Sequence, residues 1–216
     1  MTLRRSVFVT SLLTMTTGSP IYSQGVDLGA FFTVARTGIQ EVGDPVGVGV
    51  SLTWPLHDVV GFRIEGSRIT SSPRWAATVC DEYWPLYTDC REQTIENSIR
   101  GMHIAASMVV APLRRGGWRA EGIFGVSRLH LEHEIARVET SRPVDGAPGG
   151  EGAFSASYGA AIVREGLGVD RFSARLEWHH ASMSGNISPC PLDGFCPPQW
   201  NGFGVNEIRL GASWRF

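Results

Sequence analysis

The sequence predicts an all-β protein, an eight-stranded antiparallel up-and-down transmembrane β-barrel with short periplasmic turns and long extracellular loops. Three observations lead to this prediction. Eight segments alternate apolar with polar or small residues, which is the side-chain period of a β-strand. The connections between them alternate between short and long. The charged residues fall on one face of the strands and the apolar residues on the other.

The last ten residues alternate most regularly. Counting back from the C-terminus, every second residue is apolar, and the residues between them are charged or small: Glu207, Arg209, Gly211, Ser213 and Arg215. Such a strand has one apolar face and one charged face. It resembles the C-terminal signature strand of bacterial outer-membrane β-barrels. The resemblance implies that the barrel-insertion machinery recognises its apolar face, which comprises Ile208, Leu210, Trp214 and Phe216.

The first four strands are predicted at 26–36, 47–54, 60–68 and 98–110. Each presents an apolar set on alternate positions, in chain order Leu28, Ala30, Phe32 and Val34; Val48, Val50, Leu52 and Trp54; Val60, Phe62 and Ile64; and Met102, Ile104, Ala106 and Met108. None contains an internal proline, which would remove a hydrogen bond from the sheet.

The other four strands are predicted at 118–126, 154–162, 171–178 and 207–216. Their apolar sets are Trp118, Ala120, Phe124 and Val126; Phe154, Ala156, Tyr158, Ala160 and Ile162; Phe172, Ala174, Leu176 and Trp178; and the terminal set given above. Several aromatic residues fall at strand ends, where barrels place them at the membrane interfaces.

The connections favour a membrane barrel over a soluble β-sandwich. The links after the second, fourth and sixth strands are short, at 55–59, 111–117 and 164–170, whereas those after the odd-numbered strands run from about ten residues to nearly thirty. Outer-membrane barrels have this asymmetry, with tight periplasmic turns and long extracellular loops.

In such a barrel the charged faces share a lumen that side chains just fill. Eight charged residues are predicted to form ion pairs there, because an unpaired buried charge costs several kcal/mol: Arg63, Glu65, Arg119, Glu121, Arg175, Glu177, Glu207 and Arg209. A lumen filled in this way is expected to conduct poorly. A narrow pore is the alternative.

Composition limits the classes of function. The chain has 216 residues, a formal net charge of -2 and no lysine, so nothing favours nucleic-acid binding or a Schiff-base mechanism. Arg4 and Arg5 precede a short apolar run, which predicts a signal peptide at 1–23 and a mature barrel domain at 24–216. No cofactor or metal is predicted.

The four cysteines form two local pairs, Cys80 with Cys90 and Cys190 with Cys196. In an exported protein an even count at short separations favours disulfides. Three connectivities are possible. The two local bridges are preferred because closing a short loop loses the least entropy. A metal site with His179 and His180 is the alternative, although the spacing matches no usual zinc pattern.

The whole pattern resembles the small eight-stranded outer-membrane proteins that include OmpX and the membrane domain of OmpA. The resemblance implies an integral protein of the cell outer membrane, in contact with lipid and lipopolysaccharide. It implies a structural role, or a surface ligand bound by the extracellular loops. It does not define an activity, since fold does not imply function.

A local resemblance suggests an enzyme as the alternative. Outer-membrane lipid A deacylases carry a His-x-Ser-Asn motif and use a glutamate to orient the histidine. Here His180 and Ser182 fit as base and nucleophile, with Glu207 as the nearest downstream acid. Met183 replaces the asparagine of the motif, and Glu207 has inward parity. The non-catalytic interpretation is therefore preferred.

Two further groups of residues have competing interpretations. His130, Glu132, His133 and Glu134 suggest a metal site, but a solvated loop rim explains them better. Several arginines could bind lipopolysaccharide phosphates near the outer headgroups, and a solvated surface explains them equally well: Arg68, Arg74, Arg91, Arg128 and Arg137.

Overall fold

The computed structural model describes residues 25–38, 40, 42–83, 87–137, 150–187 and 200–216. The predicted signal peptide and the pair Cys190 and Cys196 lie outside the described residues. The described chain forms nine strands: β1 (Asp27–Arg36), β2 (Val46–His57), β3 (Val60–Ser71), β4 (Arg74–Tyr83), β5 (Tyr87–Arg115), β6 (Trp118–Arg137), β7 (Gly150–Glu165), β8 (Phe172–Ile187) and β9 (Trp200–Arg215). None of these residues forms a helix that could cross a membrane.

Eight of the strands close into a ring. Each of them pairs antiparallel with two others, in the order β1, β2, β3, β5, β6, β7, β8 and β9, and β9 pairs again with β1. The β3–β5 pairing runs from Val60 opposite Val110 to Ser71 opposite Ile99. A closed ring leaves no open edge within the barrel wall. The predicted all-β, eight-stranded antiparallel barrel is confirmed.

The short turns lie where the sequence predicts them. Residues 58–59 join β2 to β3, residues 116–117 join β5 to β6, and residues 166–171 join β7 to β8. In the turn between β5 and β6, Gly116 and Gly117 have φ values of 58° and 76°. Positive φ at both central positions gives a type I′ turn, whose twist matches that of the flanking strands, and glycine adopts it without strain. All three turns are at the same end of the barrel.

At the other end the strands continue beyond their predicted limits. The segment after the third predicted strand, expected to be a long loop, is instead β4 paired with the first part of β5. His130 and Glu132, expected on a loop rim, lie within β6. In β5 and β6 the alternation continues with the opposite phase, the inward positions being apolar at Ile95, Ile99, Leu129 and Leu131, so a search for one unbroken apolar face ended before these segments. Backbone pairing with a neighbouring strand is enough to keep them extended.

The outer surface of the ring is apolar around its middle. The side chains of Leu210, Val126 and Val48 are 62–63% exposed, and Phe124 is 59% exposed, although all four are large and apolar. On the inner face of the sheet Arg63 of β3 and Glu177 of β8 are only 2% and 3% exposed. A soluble fold would bury the first set and expose the second. The surface is therefore suited to hydrocarbon rather than to water.

Towards the long-strand end this polarity reverses. On β3 the outward positions change from Ile64 to Arg68 and Thr70, and the inward positions change from Glu65 to Ile69. A buried apolar cluster fills the lumen here, comprising Ala35, Val42, Ile69, Ile99, Leu129, Leu131, Ala181 and Val205. The barrel thus has apolar residues outside in its middle and apolar residues inside at this end. The reversal marks the level at which apolar surroundings would give way to water.

The orientation of the faces leads to a prediction for stability. Leu210→Arg places a charge in the middle of the apolar surface, and we expect it to lower the free energy of unfolding by about 2–4 kcal/mol in lipid vesicles. Leu113→Arg, at an exposed site beside the two-residue turn, should cost about 1 kcal/mol or less. Urea titrations of the two variants measure the difference. Equal effects would contradict a lipid-facing Leu210.

Candidate functional site

Four strands project alternating charges into the middle of the lumen. Each contributes one arginine and one glutamate two positions apart, so both side chains of a strand point inward. The eight residues, here called the lumen cluster, are Arg63 and Glu65 on β3, Arg119 and Glu121 on β6, Arg175 and Glu177 on β8, and Glu207 and Arg209 on β9.

Glu177 lies at the centre of the lumen cluster. Its carboxylate accepts hydrogen bonds from Arg63 Nη1 at 2.9 Å and from Arg175 Nε at 2.8 Å through one oxygen. Its other oxygen accepts from Arg209 Nη1 at 3.1 Å. One buried carboxylate thus joins arginines from β3, β8 and β9, and the arginine of β3 is 114 residues away in sequence.

Arg209 connects Glu177 to the two remaining acids of β3 and β9. Its Nη1 lies 2.6 Å from Glu65 Oε1, and its Nη2 lies 2.7 Å from Glu207 Oε2. The guanidinium also stacks over the Phe31 ring, 5.0 Å from the ring centroid. Thr33 donates to Glu207 Oε2 at 3.3 Å. All five NH groups of an arginine need acceptors when buried, and this arrangement supplies most of them.

The cluster extends towards the short-turn end through Arg119. Arg119 Nε lies 2.6 Å from Glu121 Oε1, and its Nη1 lies 2.5 Å from Glu165 Oε1. Glu121 also pairs with Arg175. At the mouth Arg215 Nε donates to Asp27 Oδ1 at 2.7 Å, which ties the last strand to the first. A continuous chain of ion pairs therefore runs from the mouth to the middle of the lumen.

Little space remains between these side chains. The cavity beside the lumen cluster has a volume of about 30 Å³, lined by residues that include Phe31, Arg63 and Arg175. That is room for one or two water molecules. His103 and His179, 2% and 0% exposed, lie on the inner face of β5 and β8 and interact electrostatically with Glu207 and Arg209. The alternation along β5 and β8 is consistent with this inward position, but the groups that the two histidines meet depend on contacts between strands.

His180, Ser182 and Glu207 do not form a triad. His180 and Ser182 lie on the outer face of β8, and the His180 Nδ1 atom is 3.0 Å from Asn206 Oδ1 on β9. Glu207 lies on the opposite face, 6% exposed and bonded to Arg209. The sheet itself separates the carboxylate from the imidazole, so Glu207 does not orient His180. Asn206 of β9, which the sequence pattern does not single out, contacts the His180 imidazole instead.

The other predicted sites are placed as follows. His130 and Glu132 are on the outer face of β6, with His130 Nε2 3.9 Å from Glu132 Oε1. Among the described residues no group of three or more histidine, cysteine, aspartate or glutamate side chains is arranged to hold a metal ion. Cys80 and Cys90 are direct partners in the β4–β5 ladder.

The apolar face of β9 is directed outward. Ile208, Leu210 and Phe216 are 53%, 63% and 68% exposed, and Trp214 is 39% exposed. These are the four residues assigned to the insertion signal from the sequence. Their exposure would allow another protein, or lipid, to contact the terminal strand along its length.

No family model and no curated protein matches the chain. Among solved structures it is similar to Ail, the attachment invasion locus protein of Yersinia pestis, at 13% identity and a TM-score of 0.44, over 89% of this chain and 97% of that one. A major outer membrane protein from Thermus thermophilus matches at 13% identity and a TM-score of 0.47, over 88% and 99%. Neisserial surface protein A matches at 10% identity and a TM-score of 0.47, over 90% and 98%. These neighbours belong to the class of outer-membrane barrels that the sequence resembles. The likeness concerns fold alone.

The lumen cluster leads to a second prediction. Glu177→Gln removes the central negative charge and leaves three arginines facing one another, so we expect a loss of about 3–5 kcal/mol in the free energy of unfolding. Glu132→Gln, on the exposed outer face, should change it by roughly 0.5 kcal/mol or less. Denaturant titration in detergent micelles compares the two. A Glu177→Gln variant as stable as the control would show that the cluster does not support the fold.

Proposed function

We propose that the protein is an integral barrel of the cell outer membrane with a structural or surface-interaction role. The observation that carries the proposal is the polarity of the wall: large apolar side chains are exposed around its middle, and the charges are paired inside. Each strand of the ring pairs with a neighbour on both sides, which is the arrangement that a hydrocarbon environment requires.

The long-strand end is the part that would meet partners. About ten residues of a tilted strand span a bilayer, and β5 has 29 residues. More than half of β5, together with all of β4, therefore extends beyond the apolar surface. In our proposal this hairpin projects from the cell and presents a rigid surface, while the short turns face the periplasm. Residues 1–23 would be the export signal, and the outward face of β9 would be recognised by the insertion machinery.

Because side chains fill the lumen, a role in surface interaction is favoured over a role in transport. The cavity beside the lumen cluster is only about 30 Å³, because paired arginines and glutamates occupy most of the lumen at this level. A solute could cross only if several buried ion pairs separated. The protein would therefore act through its surface.

Cellular localisation and hairpin exchange test this proposal. We expect the full-length protein in the outer-membrane fraction, and we expect replacement of residues 74–96 by a short turn to leave it there but to abolish binding of a surface partner. An intact barrel with unchanged cell-surface binding would contradict the role of the hairpin. Recovery from the periplasm in soluble form would contradict the membrane location.

Two measurements on the same material test the alternatives. Purified protein in planar bilayers should show no steady conductance, which tests the narrow pore. Lipid A from cells with and without the protein should carry the same acyl chains, which tests the deacylase, with Ser182→Ala as the control. Stable channels, or loss of an acyl chain that Ser182→Ala restores, would replace the proposed function.

The proposal includes a disulfide between Cys80 and Cys90. Directly opposed residues of an antiparallel ladder have Cα atoms about 4.5–5.5 Å apart, within the range that a disulfide bridges. Such a bond would clamp the hairpin close to its tip. The bridge between Cys190 and Cys196 is proposed from the sequence alone.

Peptide mapping tests the disulfides. Under non-reducing conditions we expect one linked peptide pair containing Cys80 and Cys90 and another containing Cys190 and Cys196. Cys80→Ser should leave Cys90 reactive towards a thiol reagent and leave the second pair intact. Peptides that join Cys80 to Cys190 or to Cys196 would show a different connectivity.

A further inference from the structure

Gly66 leaves an unfilled space on the outer surface of the barrel. It lies on β3 in an outward-facing position, between Val50 of β2 and Ile104 of β5. An added Cβ would meet only the His103 carbonyl oxygen, at 3.9 Å, which is an ordinary contact. At Gly47, Gly125 and Gly159, in contrast, a Cβ would collide with a neighbouring carbonyl oxygen. Close backbone packing explains those three glycines and does not explain Gly66.

The space over Gly66 is part of an apolar groove. Its walls are Val48, Val50, Met102 and Ile104, and it continues across β1 at Ala30. These walls are 50–62% exposed, so nothing in the described chain covers them. We call this surface the outer groove.

Two arginines lie at the end of the outer groove that faces the long-strand end of the barrel. Arg68 follows Gly66 by two residues on β3, which places it on the same face, roughly 6.6 Å further along the strand. Arg128 on β6 is the direct partner of Ile104 and lies over the Phe154 ring at 5.3 Å. Both arginines are exposed among large apolar side chains, at the level where the surface changes from apolar to polar.

These two arginines differ from those of the lumen. Within the described part of the chain, neither Arg68 nor Arg128 is paired with a carboxylate, whereas every arginine of the lumen cluster is. Two cations at the edge of an apolar belt attract anions, and guanidinium groups bind phosphates through paired hydrogen bonds.

From this geometry we infer a lipid site: an acyl chain occupies the outer groove over Gly66, and Arg68 and Arg128 bind phosphates of the same molecule. The inference rests on the proposed outer-membrane location. Arg68 and Arg128 are on opposite sides of β5, two strand spacings across and two residues along, or about 12 Å apart. That separation suits a headgroup with more than one phosphate. The occupant is therefore a lipid A-type glycolipid of the outer leaflet rather than a phospholipid with a single phosphate.

Binding to the purified full-length protein tests the site. Native mass spectrometry in detergent would count bound molecules of three probes: lipid A, the same lipid A with its phosphates removed, and phosphatidylglycerol. We expect lipid A to bind, and the other two to bind about tenfold more weakly, because each lacks at least one charge-assisted contact. Equal binding of phosphatidylglycerol would overturn the assignment to lipid A.

Two variants test separately how much the phosphate contacts and the groove contribute to lipid A binding. Arg68→Gln with Arg128→Gln should weaken lipid A binding about tenfold. Gly66→Leu, which the structure can accommodate, should weaken it roughly twofold to fourfold, because only van der Waals contacts with the chain are lost. The matched controls are Arg115→Gln with Arg171→Gln, exposed at the short-turn end, and Ala160→Leu, exposed on the opposite wall.

The outcomes distinguish this inference from the proposed function. Unchanged lipid A binding in the Arg68 and Arg128 variant, or equal losses in variants and controls, overturns the lipid site while leaving the barrel in the outer membrane. Absence of the protein from the outer-membrane fraction would instead remove the proposed function. Before binding is compared, electrophoresis of unheated samples, in which folded and unfolded barrels migrate differently, shows that each variant is folded.

Discussion

The structure depends on the burial of paired, charged side chains inside the barrel. Four arginines and four glutamates occupy a space that eight strands leave barely large enough for side chains, and an isolated ion there would lose several kcal/mol of hydration. Some partners lie two residues apart on one strand, as Arg175 and Glu177 do, whereas others lie far apart in sequence: Glu65 and Arg209 are separated by 144 residues. The long-range pairs can form only when β3 and β9 have both joined the ring. Ring closure therefore completes the charge neutralisation that the same-strand pairs begin.

Alternation along the chain was sufficient to predict the membrane part of the fold. A period of two assigns each side chain to a face whatever the register, so the inward position of Arg63 and the outward position of Leu210 followed directly. Register is set by contacts between strands, and so the sequence could not indicate that Glu177 would meet three arginines or that Asn206 would contact His180. The β4–β5 hairpin was missed for another reason. Outside the apolar belt the alternation changes phase, with Ile95 and Ile99 on the inward face, so a search for one unbroken apolar face stops at the reversal.

The reversal of polarity separates two regions with different sources of stability. In the middle of the barrel, exposed apolar side chains cover the outside and ion pairs fill the inside. At the long-strand end Ile95, Leu129 and Leu131 are buried, while Arg100 and Glu132 are exposed, which is the arrangement of a water-soluble barrel. The hydrophobic effect can act on the interior there, where water is the surrounding solvent. The same closed ring thus has an apolar outer surface at one level and a polar outer surface at the next. Arg68 and Arg128 lie close to the boundary between the two.

The occupied lumen has a consequence for the envelope as a whole. An open channel in every copy would let small molecules and ions equilibrate, so the number of copies would be limited by the leak a cell tolerates. In the proposed role, a barrel packed with side chains would add no such leak. Its abundance is then restricted by the membrane area it occupies, and a cell could cover much of its surface with this protein and still keep its permeability barrier.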